Sequence, residues 1–322
     1  MTQRLLQWLL LFGVAATSVA AQAQSFTAHS MYIGGTTRTY LVRKPTSAPA
    51  TGAPVIIMLH GHGGTAAKLV GQGALVGAAP YRAWVPIADR ERLVLIAPNG
   101  AEGFDGEQGW NDCRRDAYTN PRRDDAAFML AILDAVGATT RIDRRRVFVV
   151  GTSNGGHMAL RMAIEQPTRV AGVAAVVAAM PADSKCAQPG GSVPVLFMNG
   201  STDPILPWDG GQIAGEGRGT VLTAEQSVNI WRVLAGGGAM LPPHLYDFPD
   251  ADPEDGTRVE RFRYVKTGVP VVEMDKVHGG GHTEPSLTEH YQPFYLGVVG
   301  AQNRDIEMAE EVWRFFAAQP RW

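Results

Sequence analysis

Two cysteines are all that the 322 residues contain, and the formal net charge is only −2. Lys and Arg are scattered along the chain, so no basic face offers itself to nucleic acid and no such partner is expected. Beyond the N-terminus, no apolar run approaches the length of a membrane span. No internal repeat or low-complexity linker divides the chain. Acidic and Cys partners are missing at ligand spacing around His60 and His62, so no metal site is expected there. The acidic stretch Pro249-Asp250-Ala251-Asp252-Pro253-Glu254-Asp255-Gly256 lacks the sixth-position glycine and twelfth-position glutamate of an EF-hand loop. It reads as a solvated hairpin turn before a strand from Val259 to Val265. Arg144-Arg145-Arg146 reads as a solvated helix end, and Trp313, Phe315 and Phe316 as core contacts of the last helix.

What is present begins with a leader. Residues 1–24 carry one early cation, Arg4, then an apolar run from Leu5 through Ala16 and the small-residue pattern Ala21-Gln22-Ala23. This predicts a secretory signal over 1–23, cleaved after Ala23, with an uncleaved anchor as the other reading. The remainder, 24–322, is expected to be secreted or periplasmic and free of the membrane. Its length suits a single large α/β domain, and a hydrophobic fraction of 45% gives ample core material. An even cysteine count in an export-bound chain points to one disulfide between Cys113 and Cys186; two buried free thiols are the alternative.

Strands and helices alternate through this domain. Ser30 to Pro45 predicts a hairpin around Gly34-Gly35. Residues 54–60 form a wholly apolar run of the kind a buried central strand needs. An Ala- and Leu-rich helical region leads to Asp89, and residues 93–98 read as the next strand. A helix is expected from Asp124 to Val136, with carboxylates in its first turn. Further strands are expected at 147–150, 173–177, 193–199 and 269–277, with a C-terminal helix from Asp305. Such alternation implies a mostly parallel sheet covered on both faces, with ligands at the strand C-terminal edge.

Each chemical candidate follows one of those strands. Val147-Phe148-Val149-Val150 runs into Gly151-Thr152-Ser153-Asn154-Gly155 and straight on into a helix-forming stretch. Strand, sharp turn and helix with serine at the apex is the pattern of a nucleophile elbow. It aims the Ser153 hydroxyl out of the sheet and sets the Asn154 N–H at a helix N-terminus, where it can meet an oxyanion. A plain Gly/Ser turn is the bland alternative. His60-Gly61-His62-Gly63-Gly64 follows another strand, and the N–H of His62 is expected as the second oxyanion donor. Asp203 sits just past the strand ending at Asn199, with Asp209 as rival, and could hold a base in its working tautomer. His282, on a flexible glycine loop after the last strand, is the expected base in preference to His278. The order Ser153, Asp203, His282 is that of α/β-hydrolases.

These motifs, with Pro98-Asn99-Gly100, Gly109-Trp110-Asn111-Asp112-Cys113, Asp124-Asp125, Ile142-Asp143, Arg146-Val147 and Gly200-Ser201-Thr202-Asp203-Pro204, cover nearly the whole predicted domain. Together they resemble the esterase family that groups polyhydroxybutyrate depolymerases with feruloyl and acetylxylan esterases. The resemblance implies an α/β-hydrolase fold and a secreted serine ester hydrolase needing no cofactor, with the triad on Ser153, Asp203 and His282. It also implies that Trp110 and Trp208 wall the acyl cleft. The substrate would be a small, oligomeric or polysaccharide-linked ester, because the separate binding domain of many polyester depolymerases is missing. An acyltransferase using the same triad and a catalytically idle carbohydrate-binding protein are the rival classes. One departure stands out: where the family often has His-x-Trp-Pro, this chain has His282-Thr283-Glu284-Pro285. That replaces an apolar platform near the base with a carboxylate, which would favour a protonated imidazole if it pointed inward.

Overall fold

The computed structural model describes residues 25–73 and 77–320. The expected signal segment, 1–23, lies outside the described residues.

The chain opens with a hairpin, β1 (Thr27–Ile33) and β2 (Thr36–Arg43), turned at Gly34-Gly35 as the sequence predicts. The strands β3 (Ala53–Leu59), β4 (Val94–Pro98), β5 (Ile142–Thr152), β6 (Gly172–Val176) and β7 (Val195–Gly200) follow. The last three strands are β8 (Pro243–Asp247), β9 (Arg258–Lys266) and β10 (Val269–His278). They form one ten-stranded sheet in the order β1-β2-β4-β3-β5-β6-β7-β10-β9-β8. The six central strands from β4 to β10 run parallel, and an antiparallel pair finishes each edge.

The interior strands are apolar throughout because both faces are covered. Alternate residues divide between two cores, as the two-residue period of a strand requires. Val55, Ile57, Val147, Val149, Val173 and Phe197 point to one face. There they meet α3 (Asp125–Thr139), α4 (Asn154–Glu165) and α5 (Ala224–Ala235) through Phe128, Met158 and Trp231. Ile56, Met58, Phe148, Val150, Leu196 and Met198 point to the other face. There α2 (Trp84–Glu91) and α7 (Met308–Ala317) supply Trp84, Ile87, Phe315 and Phe316. The protein is thus an α/β-hydrolase fold. The aromatics of the last helix are core contacts, Phe316 stacking on Phe148 at 4.6 Å between ring centroids.

Several expectations are corrected. Among its described residues the helical region before Asp89 is broken into the four-residue α1 (Ala66–Leu69), a 3-10 turn at Pro80–Ala83 and α2, which carries Asp89. Arg144-Arg145-Arg146 lies inside β5 rather than at a helix end, with Arg144 paired to Asp134 at 2.7 Å. The C-terminal helix starts at Met308, and a short helix, α6 (Pro293–Val299), precedes it. The acidic stretch near Asp252 is fastened rather than merely solvated. Asp305 Oδ1 accepts from the N–H groups of Ala251 and Asp252, and Asp255 Oδ2 accepts from that of Arg304. No helix among the described residues is long and apolar enough to cross a membrane.

Candidate active site

Ser153 stands between β5 and α4 with φ 56° and ψ −121°, a backbone conformation costly for any residue with a side chain. Its flanking glycines permit the turn. A Cβ at Gly151 would lie 2.2 Å from the Gly155 carbonyl oxygen, and one at Gly155 would lie 2.3 Å from that of Leu59. Either substitution would push the serine off the sheet. The turn is held by the Ser153 N–H donating to Val176 O at 2.9 Å and the His157 N–H donating to Ser153 O at 2.9 Å.

The turn after β3 leans on this elbow, since a Cβ at Gly61 would be 3.5 Å from Ser153 Cβ. Its own hydrogen bonds engage the N–H groups of Gly63, to Gln108 O at 2.8 Å, and Gly64, to Gly61 O at 3.0 Å. His60, within it, is buried, and its ring is committed at both nitrogens. Nδ1 lies 2.7 Å from the Gly61 carbonyl oxygen and so donates, while Nε2 accepts the Gly100 N–H at 2.9 Å. That fixes a neutral tautomer, and burial lowers the His60 pKa to about 4. Neither His60 nitrogen is left to bind a metal. The His62 ring faces Asp105, with Nε2 3.0 Å from Oδ2.

Asp203 follows β7 and is buried. Its Oδ1 accepts the N–H groups of Ile205 at 2.7 Å and Leu206 at 2.8 Å, and its Oδ2 meets His282 Nδ1 at 2.7 Å. The sequence alternatives lie elsewhere: Asp209 is exposed, and His278 at the end of β10 pairs with Glu260 at 2.9 Å. The loop that carries His282 is tight rather than flexible. Gly281 N–H donates to Ala301 O at 2.8 Å and His282 N–H to Val299 O at 2.6 Å. A Cβ on Gly281 would fall 2.2 Å from the Val299 carbonyl oxygen. The glycine is there for close approach.

Ser153 and His282 line one cleft of about 350 Å³ at the C-terminal edge of the sheet, with His62, Tyr81, Glu284, Tyr291 and Tyr295 among its walls. Glu284 does point inward. Its carboxylate is buried, and Tyr291 Oη donates to it at 2.6 Å. Tyr81, Tyr291 and Glu284 had no motif to announce them as wall residues beyond the Trp-to-Glu departure after His282.

Two expected wall residues lie elsewhere. Trp110 is fully buried behind the cleft, its indole N–H donating to His60 O at 2.8 Å and its ring packed on the His60 imidazole at 4.9 Å. It is a strut under the turn after β3. Trp208 packs against the core on the α5 face, with the Lys276 ammonium 4.9 Å from its ring centroid. Trp110 is wholly buried in its place and Trp208 half-buried in its own.

A polar network behind the elbow is the feature sequence reading missed. Asn154 Nδ2 donates to Asp112 Oδ2 at 2.7 Å and to Trp110 O at 3.1 Å, while its Oδ1 accepts the Trp110 N–H at 2.7 Å. Asp112 also accepts from Arg114 Nη2 at 2.6 Å and Asn120 Nδ2 at 3.0 Å. Burial pushes the Asp112 carboxyl upward, but Arg114 beside it prevails and holds it well below the usual carboxylate range. His157 is buried next to this cluster, its Nδ1 donating to Ala179 O at 2.8 Å, and burial with the Arg114 charge lowers its pKa to about 3. The adjoining Cys113 is bonded to Cys186, with Cα atoms 5.3 Å apart. The sequence expectation of that disulfide is met.

The fold is that of the α/β-hydrolase class. Residues 44–232 match the phospholipase/carboxylesterase family, and the chain belongs to that family. It is a carboxylic-ester hydrolase. NocK of Nocardia uniformis subsp. tsuyamanensis, an esterase by name, is 34% identical over 88% of this chain and 80% of its own length. A protein of Aspergillus terreus named as feruloyl esterase C is 27% identical over 63% of this chain and 68% of its own. Among solved structures, the acetyl xylan esterase from Aspergillus awamori shares the fold with a TM-score of 0.55 at 13% identity, covering 90% of this chain and 99% of that one.

Proposed function

We propose that the protein cleaves carboxylic esters through an acyl-enzyme on Ser153. Ser153 attacks the ester carbonyl, His282 takes its proton, and Asp203 holds the imidazole in the tautomer that presents Nε2 and stabilises the imidazolium. The N–H groups of His62 and Asn154 bind the oxyanion; a donor in such a position contributes on the order of 3 kcal/mol. Asn154 is the first residue of α4, where an N–H has no acceptor within the helix. The collapsing intermediate expels the alcohol, protonated by His282, and water then frees the acid by the reverse proton traffic.

The observation that carries this reading is the 2.7 Å contact between His282 Nδ1 and Asp203 Oδ2, in a cleft shared with a serine held at positive φ. No step requires a cofactor. The substrate is a small, oligomeric or polysaccharide-linked ester; the relatives named for feruloyl and acetyl xylan esters supply the first candidates. With Trp110 and Trp208 away from the cleft, an indole clamp on an aromatic acyl group has no support. The disulfide supports export, because such bonds persist in oxidising compartments.

The test is hydrolysis of methyl ferulate, an acetylated xylo-oligosaccharide and a 3-hydroxybutyrate trimer by the protein and its Ser153→Ala variant. Turnover of at least one ester, lost in the variant, is expected. Turnover retained in Ser153→Ala moves the nucleophile elsewhere.

A further inference from the structure

The cleft holds a buried carboxylate that the proposed hydrolysis does not use. Glu284 lies two residues beyond His282, is 6% exposed, and lines the same cleft as Ser153. A carboxylate removed from water needs a cation or several strong donors. Oε2 receives the phenol of Tyr291 at 2.6 Å. Among the described residues no Lys, Arg or His forms an ion pair with Glu284, whereas the buried carboxylates Asp112, Asp125 and Asp275 pair with arginines and the buried Glu307, likewise without a cation, is held by the Ser286 and Thr288 hydroxyls and the Leu287 N–H. The cations of the cleft, Lys68 and Arg218, line it as well, but the Arg218 charge acts on His62.

Three tyrosines surround the carboxylate instead. Tyr81, Tyr291 and Tyr295 all line the cleft, and the Tyr291 and Tyr295 rings meet at 4.9 Å between centroids. Tyr81 is fixed by its phenol against Thr152 Oγ1 at 2.9 Å, beside the nucleophile. Burial first, and the Glu284 charge second, raise all three phenols above their ordinary range, which keeps the rings neutral. Aromatic rings gathered around an anion suit an organic ammonium, which gains both the Coulomb attraction and cation–π contact, even with the Tyr295 ring partly open to solvent.

We propose that Glu284 with Tyr81, Tyr291 and Tyr295 forms a subsite for an ammonium group carried by the ester substrate, so that the enzyme prefers cationic esters. This rests on the serine-hydrolase reading of the same cleft. The subsite binds and positions; His282, Asp203 and Ser153 carry out the bond changes already described. A saccharide hydroxyl is the competing donor to Glu284, and it would not need the rings.

The experiment uses the full chain with two pairs of esters matched in shape, each differing only in a quaternary nitrogen against a quaternary carbon. Acetylcholine against 3,3-dimethylbutyl acetate places the charge on the alcohol. 4-Nitrophenyl 4-(trimethylammonio)butyrate against 4-nitrophenyl 5,5-dimethylhexanoate places it on the acyl group. In one of the pairs the cationic ester is expected to show kcat/KM about tenfold higher, mostly through KM. Glu284→Gln should bring that ratio close to one, and Glu284→Asp, which keeps the charge, should retain part of it. The ratio is internal to each protein, so partial misfolding of a variant does not imitate the effect. Equal or poorer turnover of the cationic ester in both pairs overturns the proposal, as does an unchanged ratio in Glu284→Gln. Cleavage of 4-nitrophenyl acetate without any cleavage of the cationic esters also overturns it. If no ester at all is cut, the hydrolase reading has failed. Calorimetric titration with tetramethylammonium chloride against sodium chloride then decides the subsite, absence of specific heat counting against it.

Discussion

Asn154 Nδ2 donates to Asp112 Oδ2 at 2.7 Å, and this bond fastens the residue after Ser153 to a loop 42 positions earlier in the chain. In the proposed mechanism the backbone of Asn154 offers its N–H to the oxyanion, while its side chain carries the load of the Trp110–Asp112 loop. Asn154→Ala keeps that N–H but removes one of the donors to the buried Asp112 carboxylate and leaves the Trp110 N–H without its acceptor. An unsatisfied buried polar group costs about 1–3 kcal/mol, more when charged. We expect unfolding free energy to drop by roughly 3 kcal/mol in urea titrations, with kcat falling more than KM rises. Unchanged stability would show that Asp112 is satisfied by Arg114 and Asn120 alone.

The Cys113–Cys186 bond closes a loop of 73 residues. In the chain-entropy picture a loop of that length stabilises the fold by on the order of 4 kcal/mol. Reduction should therefore lower the melting temperature. Activity should decline with it, because Cys113 adjoins the Asp112 that braces the elbow. Calorimetry with and without reductant, under matched conditions, reads both effects.

Two buried histidines make stability fall in mild acid. Burial lowers His60 to about 4 and His157 to about 3, against 6.5 for an ordinary histidine. Between pH 6.5 and about 4 the unfolded chain binds protons at these positions that the folded chain refuses, so stability is present above 6.5 and is lost as pH falls. Each histidine contributes a slope of about 1.4 kcal/mol per pH unit within that window. Urea midpoints at pH 7 and pH 5 measure the sum, and His157→Gln should flatten the dependence.

The tight glycine loop makes a further prediction. A methyl on Gly281 meets the Val299 carbonyl oxygen at 2.2 Å, so Gly281→Ala must displace the segment that carries His282. A misplaced base by about an ångström can cost on the order of a hundredfold in rate. We expect that loss in kcat with a circular dichroism spectrum close to the parent. Full activity would mean that the loop adapts without moving the imidazole.

Much of the sheet was legible because its signals are local. The apolar runs of β3, β4 and β5 can only be strands covered on both faces, and the glycines of the elbow have no purpose without the sharp turn they allow. Asp203 and His282 were readable from their places after strand ends. The contacts that depend on tertiary packing were not. Nothing in the spacing of Trp110 says whether its indole faces a cleft or a carbonyl; the structure gives it the His60 oxygen. Trp208 lies half-buried against the core, with the Lys276 ammonium near its ring. Helix α5 and strand β8 went unread, the first because Gly- and Thr-rich sequence precedes it, the second because its residues are exposed at the sheet edge. Glu284 stands out in the sequence as a departure, but its tyrosine partners come from α6, from Tyr291 just before it and from a segment some 200 residues earlier.

The most direct measurement is intact-protein and peptide mass spectrometry after reaction with a fluorophosphonate, which traps an activated serine by displacement of fluoride. One adduct per chain is predicted, on the peptide bearing Ser153, abolished in Ser153→Ala and much slower in His282→Gln. Labelling at another residue, or an adduct that persists in Ser153→Ala, would contradict the assignment of Ser153 as the nucleophile.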